Sequence, residues 1–297
     1  TKICEGAFSR CDNILSFSFA SDSKLRIIER DAFSFSSISS VITPPHLTKI
    51  CQGTFYNCKL LEEVEIPENS ELQIIENSAF ADSAIEILKI LSSEVKLEEG
   101  WCNRTGNLCQ ITISPNNPLY TICNDNKMII GKSTKERDNY DVIFFCARDA
   151  ETVKIPNFIE TIKPYSFENC QKLKNVEFEP GSKLQVIQKL AFSNSSIEQF
   201  SPPPSLVKID SGSFSLCKKL KKFELPLDSK LQEIGEYAFS SSSIIYFKFS
   251  PQIKYISDST FAQCKSIRKV DFPKNSQLQI IGKSAFFESS IECISIP

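Results

Sequence analysis

Apolar positions along this chain recur in one phrase. Leu231-Gln-Glu-Ile-Gly-Glu-Tyr-Ala-Phe239 returns as Leu25-Arg-Ile-Ile-Glu-Arg-Asp-Ala-Phe33, as Leu72-Gln-Ile-Ile-Glu-Asn-Ser-Ala-Phe80, as Leu184-Gln-Val-Ile-Gln-Lys-Leu-Ala-Phe192 and as Leu278-Gln-Ile-Ile-Gly-Lys-Ser-Ala-Phe286. A shorter form precedes Phe8, Phe55, Phe167, Phe214 and Phe261. Ten phenylalanines thus hold one structural address, spaced 25, 22, 25, 87, 25, 22, 25, 22 and 25 residues apart. Self-similarity at a period of about 20–50 residues marks a solenoid, in which each unit buries its apolar face against the next. Long units of 25 residues alternate with short ones of 22. Three residues past the phenylalanine, long units carry Cys11, Cys58, Cys170, Cys217 and Cys264. Short units carry Ser36, Ser83, Ser195, Ser242 and Ser289 there.

Further on in each unit comes an apolar-x-apolar step: Val176-Glu-Phe178, Phe223-Glu-Leu225 and Val270-Asp-Phe272 in long units, Phe247-Lys-Phe249 and Ile294-Ser-Ile296 in short ones. Period-two alternation of branched and aromatic residues predicts a strand. Pro67, Pro226 and Pro273 follow, and proline cannot donate to a strand ladder. One short strand per unit, always in the same direction, predicts a parallel sheet on the concave face. The Leu-x-x-Ile-x-x-x-Ala-Phe stretch returns the chain over the other side, in an irregular or short helical path, with its apolar residues in one core.

The 87-residue interval departs from this. Three ordinary steps of 22, 25 and 22 would take 69 residues, so this region has absorbed 18 more. Trp101-Cys102 stands in place of Ala-Phe, Ile111-Thr-Ile113 falls on the strand position, and Leu119 and Ile122 fall on the next Leu-x-x-Ile. The following strand arrives late, at Val153-Lys-Ile155. Between them, two apolar runs, Met128 onward and Tyr140 to Cys146, flank the charged residues 134–139. That pattern predicts a β-hairpin standing out of the stack, tipped by Lys135, Glu136, Arg137 and Asp138. The expected organisation is one continuous solenoid of about twelve units: regular repeats over 1–101, irregular ones with the hairpin over 102–156, and regular repeats over 157–297.

The phrase Leu-x-x-Ile-x-x-x-Ala-Phe-x-x-Cys-x-x-Leu-x-x-Val-x-Phe-Pro closely resembles the BspA-like, or Treponema pallidum-type, leucine-rich repeat. Ten copies carry the resemblance over nearly the whole chain. The island, Asn126-Lys-Met-Ile-Ile-Gly-Lys-Ser133 followed by Phe144-Phe-Cys-Ala-Arg-Asp149, is similar to one in the trichomonad surface-protein branch of that family. The resemblance implies a leucine-rich repeat solenoid on a surface or secreted protein that serves adhesion and contact with host or matrix. It implies no catalytic residues.

Composition narrows the partners. Thirty-four basic residues stand against 36 acidic ones, so charge gives no reason to expect nucleic acid or an anionic membrane. No apolar run reaches the roughly 18 residues of a membrane span, so this stretch is not expected to insert. The chain opens inside one repeat and closes at the end of another, which reads as a piece of a longer array.

Twelve cysteines raise disulfides and zinc. Ladder cysteines two units apart are separated by about 10 Å at ordinary strand spacing, beyond the ~7 Å limit for a disulfide. They read as small buried hydrophobes. Cys102 and Cys109 remain open to a local disulfide. The seven-residue offsets and single histidine, His46, do not suit zinc, whose paired ligands usually stand about two to four residues apart. His46 reads as a loop residue. Gly131-Lys-Ser133 lacks the earlier glycine of a phosphate loop, Asn126 standing there. It reads as the hairpin bend. No nucleophile–base pair is visible, so neither a metal nor a cofactor is expected and the chain reads as non-enzymatic. Asn103-Arg-Thr105 and Asn194-Ser-Ser196 are glycosylation sequons on the return side.

Residues between two inward strand positions face outward. These are Glu65, Glu177, Glu224 and Asp271 in long units, and Lys89 and Lys248 in short ones. Gln199, Lys222, Tyr246 and Lys269 lie beside them. Glu224, Lys248 and Asp271 read in sequence as a cross-strand ladder of alternating charge, worth about 0.2–1 kcal/mol per pair. They also read as a patterned binding surface for a protein or glycoprotein, acting with the hairpin tip. The expected function is an adhesin-like binding solenoid at the cell surface or secreted. An intracellular scaffold of the same fold is the alternative, and unpaired thiols suit it.

Overall fold

The computed structural model describes residues 1–14 and 17–297. The chain forms two compact bodies: residues 1–138 with Ala147–Asp149, and Asn139–Cys146 with Ala150–Pro297. Each is a stack of repeats carrying parallel sheets.

In the N-terminal body the apolar-x-apolar steps form a four-stranded parallel sheet, Ser40–Ile42, Glu63–Ile66, Ile87–Ile90 and Gln110–Ile113. Register keeps Val41, Val64, Leu88 and Ile111 in one inward row. The C-terminal body repeats the arrangement. Thr152–Ile155 pairs with Asn175–Phe178, and a five-stranded sheet runs Gln199–Phe200, Lys222–Phe223, Tyr246–Lys248, Lys269–Asp271, Cys293–Ile294. The expected strands at Ile111 and Val153 are both present.

The return side differs from expectation. Among the described residues there is no helix. Each Leu-x-x-Ile instead contributes a second, two-residue strand, such as Ile27–Ile28, Lys49–Ile50, Ile74–Ile75 and Lys96–Leu97, which pair in parallel. The C-terminal body has the same ladder at Thr161–Ile162, Val186–Ile187, Lys208–Ile209 and Glu233–Ile234. Two residues are too few to show alternation, so only one strand per unit was legible.

Between the second strand and the first lies a run of turns around the phenylalanine. Residues two before and two after it take left-handed backbone, as Gly6 (φ 62°) and Arg10 (φ 58°) or Gly212 (φ 62°) and Leu216 (φ 59°). This points alternate N–H groups in two directions. Ala7, Ser9 and Cys11 donate to Cys4, Gly6 and Phe8 within the turn, while Gly6, Phe8 and Arg10 donate to Arg30, Ala32 and Ser34 of the next unit at 2.7–3.2 Å. Both sets of backbone groups are satisfied without a helix. At Gly212 a side chain would also crowd Leu190, since a Cβ there would lie 2.7 Å from Leu190 Cδ2.

Inside, the phenylalanines stack. Ring centroids of Phe8, Phe33, Phe55 and Phe80 are 5.1, 5.8 and 5.7 Å apart. In the C-terminal body Phe167, Phe192, Phe214, Phe239, Phe261 and Phe286 continue at 4.5–5.4 Å. All twelve cysteines are thiols, including Cys102 and Cys109. Cys102 is buried, while the Cys109 thiol points to the Glu86 carbonyl at 3.7 Å. Ladder thiols donate to the phenylalanine carbonyl of the preceding unit: Cys58 to Phe33 at 3.0 Å, Cys217 to Phe192 at 3.1 Å and Cys264 to Phe239 at 3.0 Å. Burial pushes the Cys217 thiol up to about 11.

Both expected apolar runs form strands, Met128–Gly131 and Val142–Cys146, and a further strand precedes them. Tyr120–Cys123 pairs antiparallel with Met128–Gly131, and the reversal falls at Asn124, Asp125 and Asn126, all left-handed. Asparagine and aspartate tolerate that conformation best among non-glycine residues. Gly131 therefore faces Tyr120 at the strand end and is not the bend. The pair does not stand out: Met128–Gly131 is buried throughout. Leu119 and Ile122 are only half-buried, and Tyr120 is the inward residue, its hydroxyl accepting the Leu97 N–H at 3.0 Å. Just downstream, the buried Arg148 guanidinium donates to the Cys102 carbonyl at 3.3 Å and the Thr105 carbonyl at 3.1 Å, at the diverged turn. The insertion thus completes the N-terminal body.

Candidate binding face

The outward positions of the sheets hold the candidate residues. In the N-terminal body Glu65 and Lys89 are register neighbours. Lys89 reaches Glu63 at 2.5 Å and Glu65 at 3.5 Å, with about a third of each side chain exposed. Lys135, Glu136, Arg137 and Asp138 belong to this body and are exposed. They lie in the connection between the strands Met128–Gly131 and Val142–Cys146. Asn103 is half-buried, its amide donating to Ser78 Oγ at 3.3 Å. Asn194 is exposed, its amide donating to Asn169 Oδ1 at 2.6 Å. His46 is a half-exposed loop residue whose ring meets Glu71 at 2.7 Å and holds that carboxyl below its ordinary range.

The C-terminal body gathers most of the others. Glu177 lies beside Lys154. Gln199, Lys222, Tyr246 and Lys269 form one row across four strands. Lys248 and Asp271 sit side by side in the next. The charges pair differently from the expected ladder. Lys222 reaches Glu224 at 2.9 Å and Lys269 reaches Asp271 at 2.9 Å, each along its own strand. Residues i and i+2 share a strand face, and a lysine stem is long enough to bridge them. Lys248 makes no ion pair among the described residues. Exposed pairs of this kind contribute about 0–1 kcal/mol. The Tyr246 hydroxyl donates to Asp271 Oδ2 at 2.8 Å. Desolvation, then the Asp271 carboxylate, push the phenol up to about 12. Lys269, then Tyr246, hold Asp271 below the usual carboxylate range.

A hollow of about 770 Å³ opens on this face, and Lys222, Glu224, Tyr246 and Lys248 line it. It exists because two strands part. Glu63–Ile66 matches Ile87–Ile90 over four residue pairs, whereas Lys222–Phe223 meets the next strand only at Lys222 and Tyr246. Among the described residues the Leu225 carbonyl accepts nothing from the next strand, whereas the equivalent Ile66 carbonyl accepts the Leu91 N–H at 2.9 Å. Leu227 on the rim is 97 % exposed and Ile245 47 %. Neither residue stands out in the sequence. The one signal for Leu227 is an apolar residue placed off-period, just past the stop at Pro226.

The repeat phrase, the parallel ladders and the stacked phenylalanines agree on one class. The chain belongs to the BspA type leucine-rich repeat family, whose model matches residues 1–108, 140–229 and 185–297 in six copies. The unmatched stretch is the one around the hairpin. No curated protein matches the chain. Among solved structures, it is similar to a leucine-rich cell surface protein from Faecalibacterium prausnitzii, with TM-score 0.74, 20 % identity, and 92 % of this chain and 76 % of that one covered. A leucine-rich repeat protein from Eubacterium ventriosum aligns over 100 % of this chain and 82 % of its own, with TM-score 0.71 and 18 % identity. The pneumococcal vaccine antigen PcpA aligns over 90 % and 62 %, with TM-score 0.66 and 23 % identity.

Proposed function

We propose that this chain is a non-enzymatic binding solenoid, part of an adhesin-like protein at the cell surface, and that it holds a protein ligand on the outer sheet face of its C-terminal body. The observation that carries this is the hollow beside Tyr246 and Lys248, with Leu227 almost wholly exposed on its rim. Covering a leucine side chain contributes about 1.5–3 kcal/mol, and solenoid faces are the usual place for extended contacts. A cell surface protein and a vaccine antigen among the structural neighbours support the location. The exposed residues 135–138 are a second contact in this reading, and Asn194 is the better presented of the two sequons. The test is binding to immobilised matrix proteins and fixed epithelial cells. Reversing Glu224, Lys248 and Asp271 together should weaken capture at least about tenfold with an unchanged circular dichroism spectrum. Unaltered capture would place the contact elsewhere.

An intracellular scaffold is favoured by one observation, that all twelve cysteines are thiols, which suits a reducing compartment. Labelling intact source cells with a membrane-impermeant reagent separates the two.

A further inference from the structure

Three features meet in the hollow, and the inference from them rests on the binding reading above. The first is apolar surface left open. Exposed Leu227 and Ile245 and half-buried Pro226 line it, around the single exposed ring of Tyr246. The second is charge. Lys221, Lys222 and Lys248 stand against Glu224 alone. Lys222 is engaged by that carboxylate, while Lys221 and Lys248 have no ion pair among the described residues. The third is backbone. Where the strands part, neither the N–H nor the C=O of Leu225 has a hydrogen-bond partner among the described residues. Pro226 has no N–H to offer.

We propose that this hollow takes an extended peptide segment of a partner protein, carrying an aliphatic or aromatic side chain within two residues of a carboxylate. The apolar side chain covers Leu227 and Ile245. The carboxylate meets Lys248. The peptide backbone supplies the hydrogen bonds that Leu225 lacks, as in strand addition to an open sheet edge. A sugar fits less well. Tyr246, the one exposed ring, already has its hydroxyl on Asp271 and the Lys269 ammonium 5.8 Å from its ring centroid.

The experiment is fluorescence polarisation at about 0.15 M salt, where loosely exposed charges are screened. The probes are labelled octapeptides with one Leu, Ile or Phe and one Asp within two residues, a matched set with Asn for Asp, and a labelled oligogalacturonate. The acidic set should bind at least about tenfold more tightly than the amide set. Lys248→Glu should remove that preference. Leu227→Asp should weaken every peptide while leaving the melting temperature unchanged, because the side chain packs on nothing. The proposal is overturned if the two sets bind alike, if no peptide binds, if Lys248→Glu changes nothing, or if the oligogalacturonate binds more tightly than the best peptide. The broader reading is scored separately. Should no peptide bind while Lys248→Glu and Leu227→Asp still weaken attachment to cells, the face stands and the peptide chemistry falls. Should attachment also be unchanged, both fall.

Discussion

The two bodies share a backbone plan and fill it differently. In the N-terminal body the inward strand row is aliphatic, Val41, Val64, Leu88 and Ile111. In the C-terminal body it turns aromatic at Phe200, Phe223 and Phe247, whose rings stack at 5.5 and 5.7 Å. These rings interleave with the phenylalanine ladder of the turns. Phe200 meets Phe192 and Phe214 at 5.3 and 4.9 Å, and Phe223 meets Phe214 and Phe239 at 5.3 and 4.9 Å. Most of these contacts are edge-on, the favourable geometry for rings, and such pairs contribute about 0.5–1.5 kcal/mol beyond burial. The N-terminal body relies instead on its insertion, through the buried hairpin and Arg148. One solenoid plan thus accepts two cores, one tied together by rings and the other by a polar anchor.

The largest test of that contrast is truncation of a ladder ring. Phe239→Ala should cost about 3–5 kcal/mol. Phe55→Ala should fall at the low end of that range, because among the described residues its ring meets no other aromatic ring than Phe33 and Phe80. Denaturant melts measure both. A loss below about 0.5 kcal/mol would contradict burial, and equal losses would erase the difference between the cores.

Next in size is Arg148→Met, which should cost about 1.5–3 kcal/mol, the worth of hydrogen bonds from a charged donor. Trp101 is the single tryptophan, buried in the N-terminal body, so its fluorescence reports that body. A transition that does not move would mean the insertion contributes nothing there.

The smallest expected difference is in thiol chemistry, where the two bodies should agree. Cys58 in one and Cys217 and Cys264 in the other are fully buried, with burial raising all three thiols above their ordinary range. Iodoacetamide should leave them unmodified until the chain unfolds, while exposed Cys4 reacts. A disulfide among the ladder cysteines by mass spectrometry would break the repeat register itself.

What the sequence disclosed follows from repetition. Ten copies of one phrase average out local noise, so the inward rows, the strand after each Cys or Ser, and the stops at Pro67, Pro226 and Pro273 were all legible. The turns were not. Left-handed residues such as Leu216 and Tyr237 carry no compositional mark, although Gly6, Gly53, Gly100 and Gly212 hint at the position two before the ladder residue. The outward rows of the candidate face were legible from alternation. Their ion-pair partners were not, since Lys222 chooses Glu224 by rotamer and reach. The hollow was hidden because it arises from a pairing that stops short, and no residue type encodes that.

The alternation of thiol and hydroxyl has a consequence for how such arrays change length. Ser36 Oγ lies 3.5 Å from Cys58 Sγ, and Ser195 with Cys217 and Ser242 with Cys264 repeat that distance. Cys58, Cys217 and Cys264 therefore each have a serine from the unit before as lateral neighbour. Excising a single unit by recombination would set cysteine against cysteine, at a spacing where two sulfurs can be oxidised into a bond. Excising or duplicating a long and a short unit together leaves every neighbour as it was. A change by two units at a time is thus the one that keeps these thiol–hydroxyl neighbours.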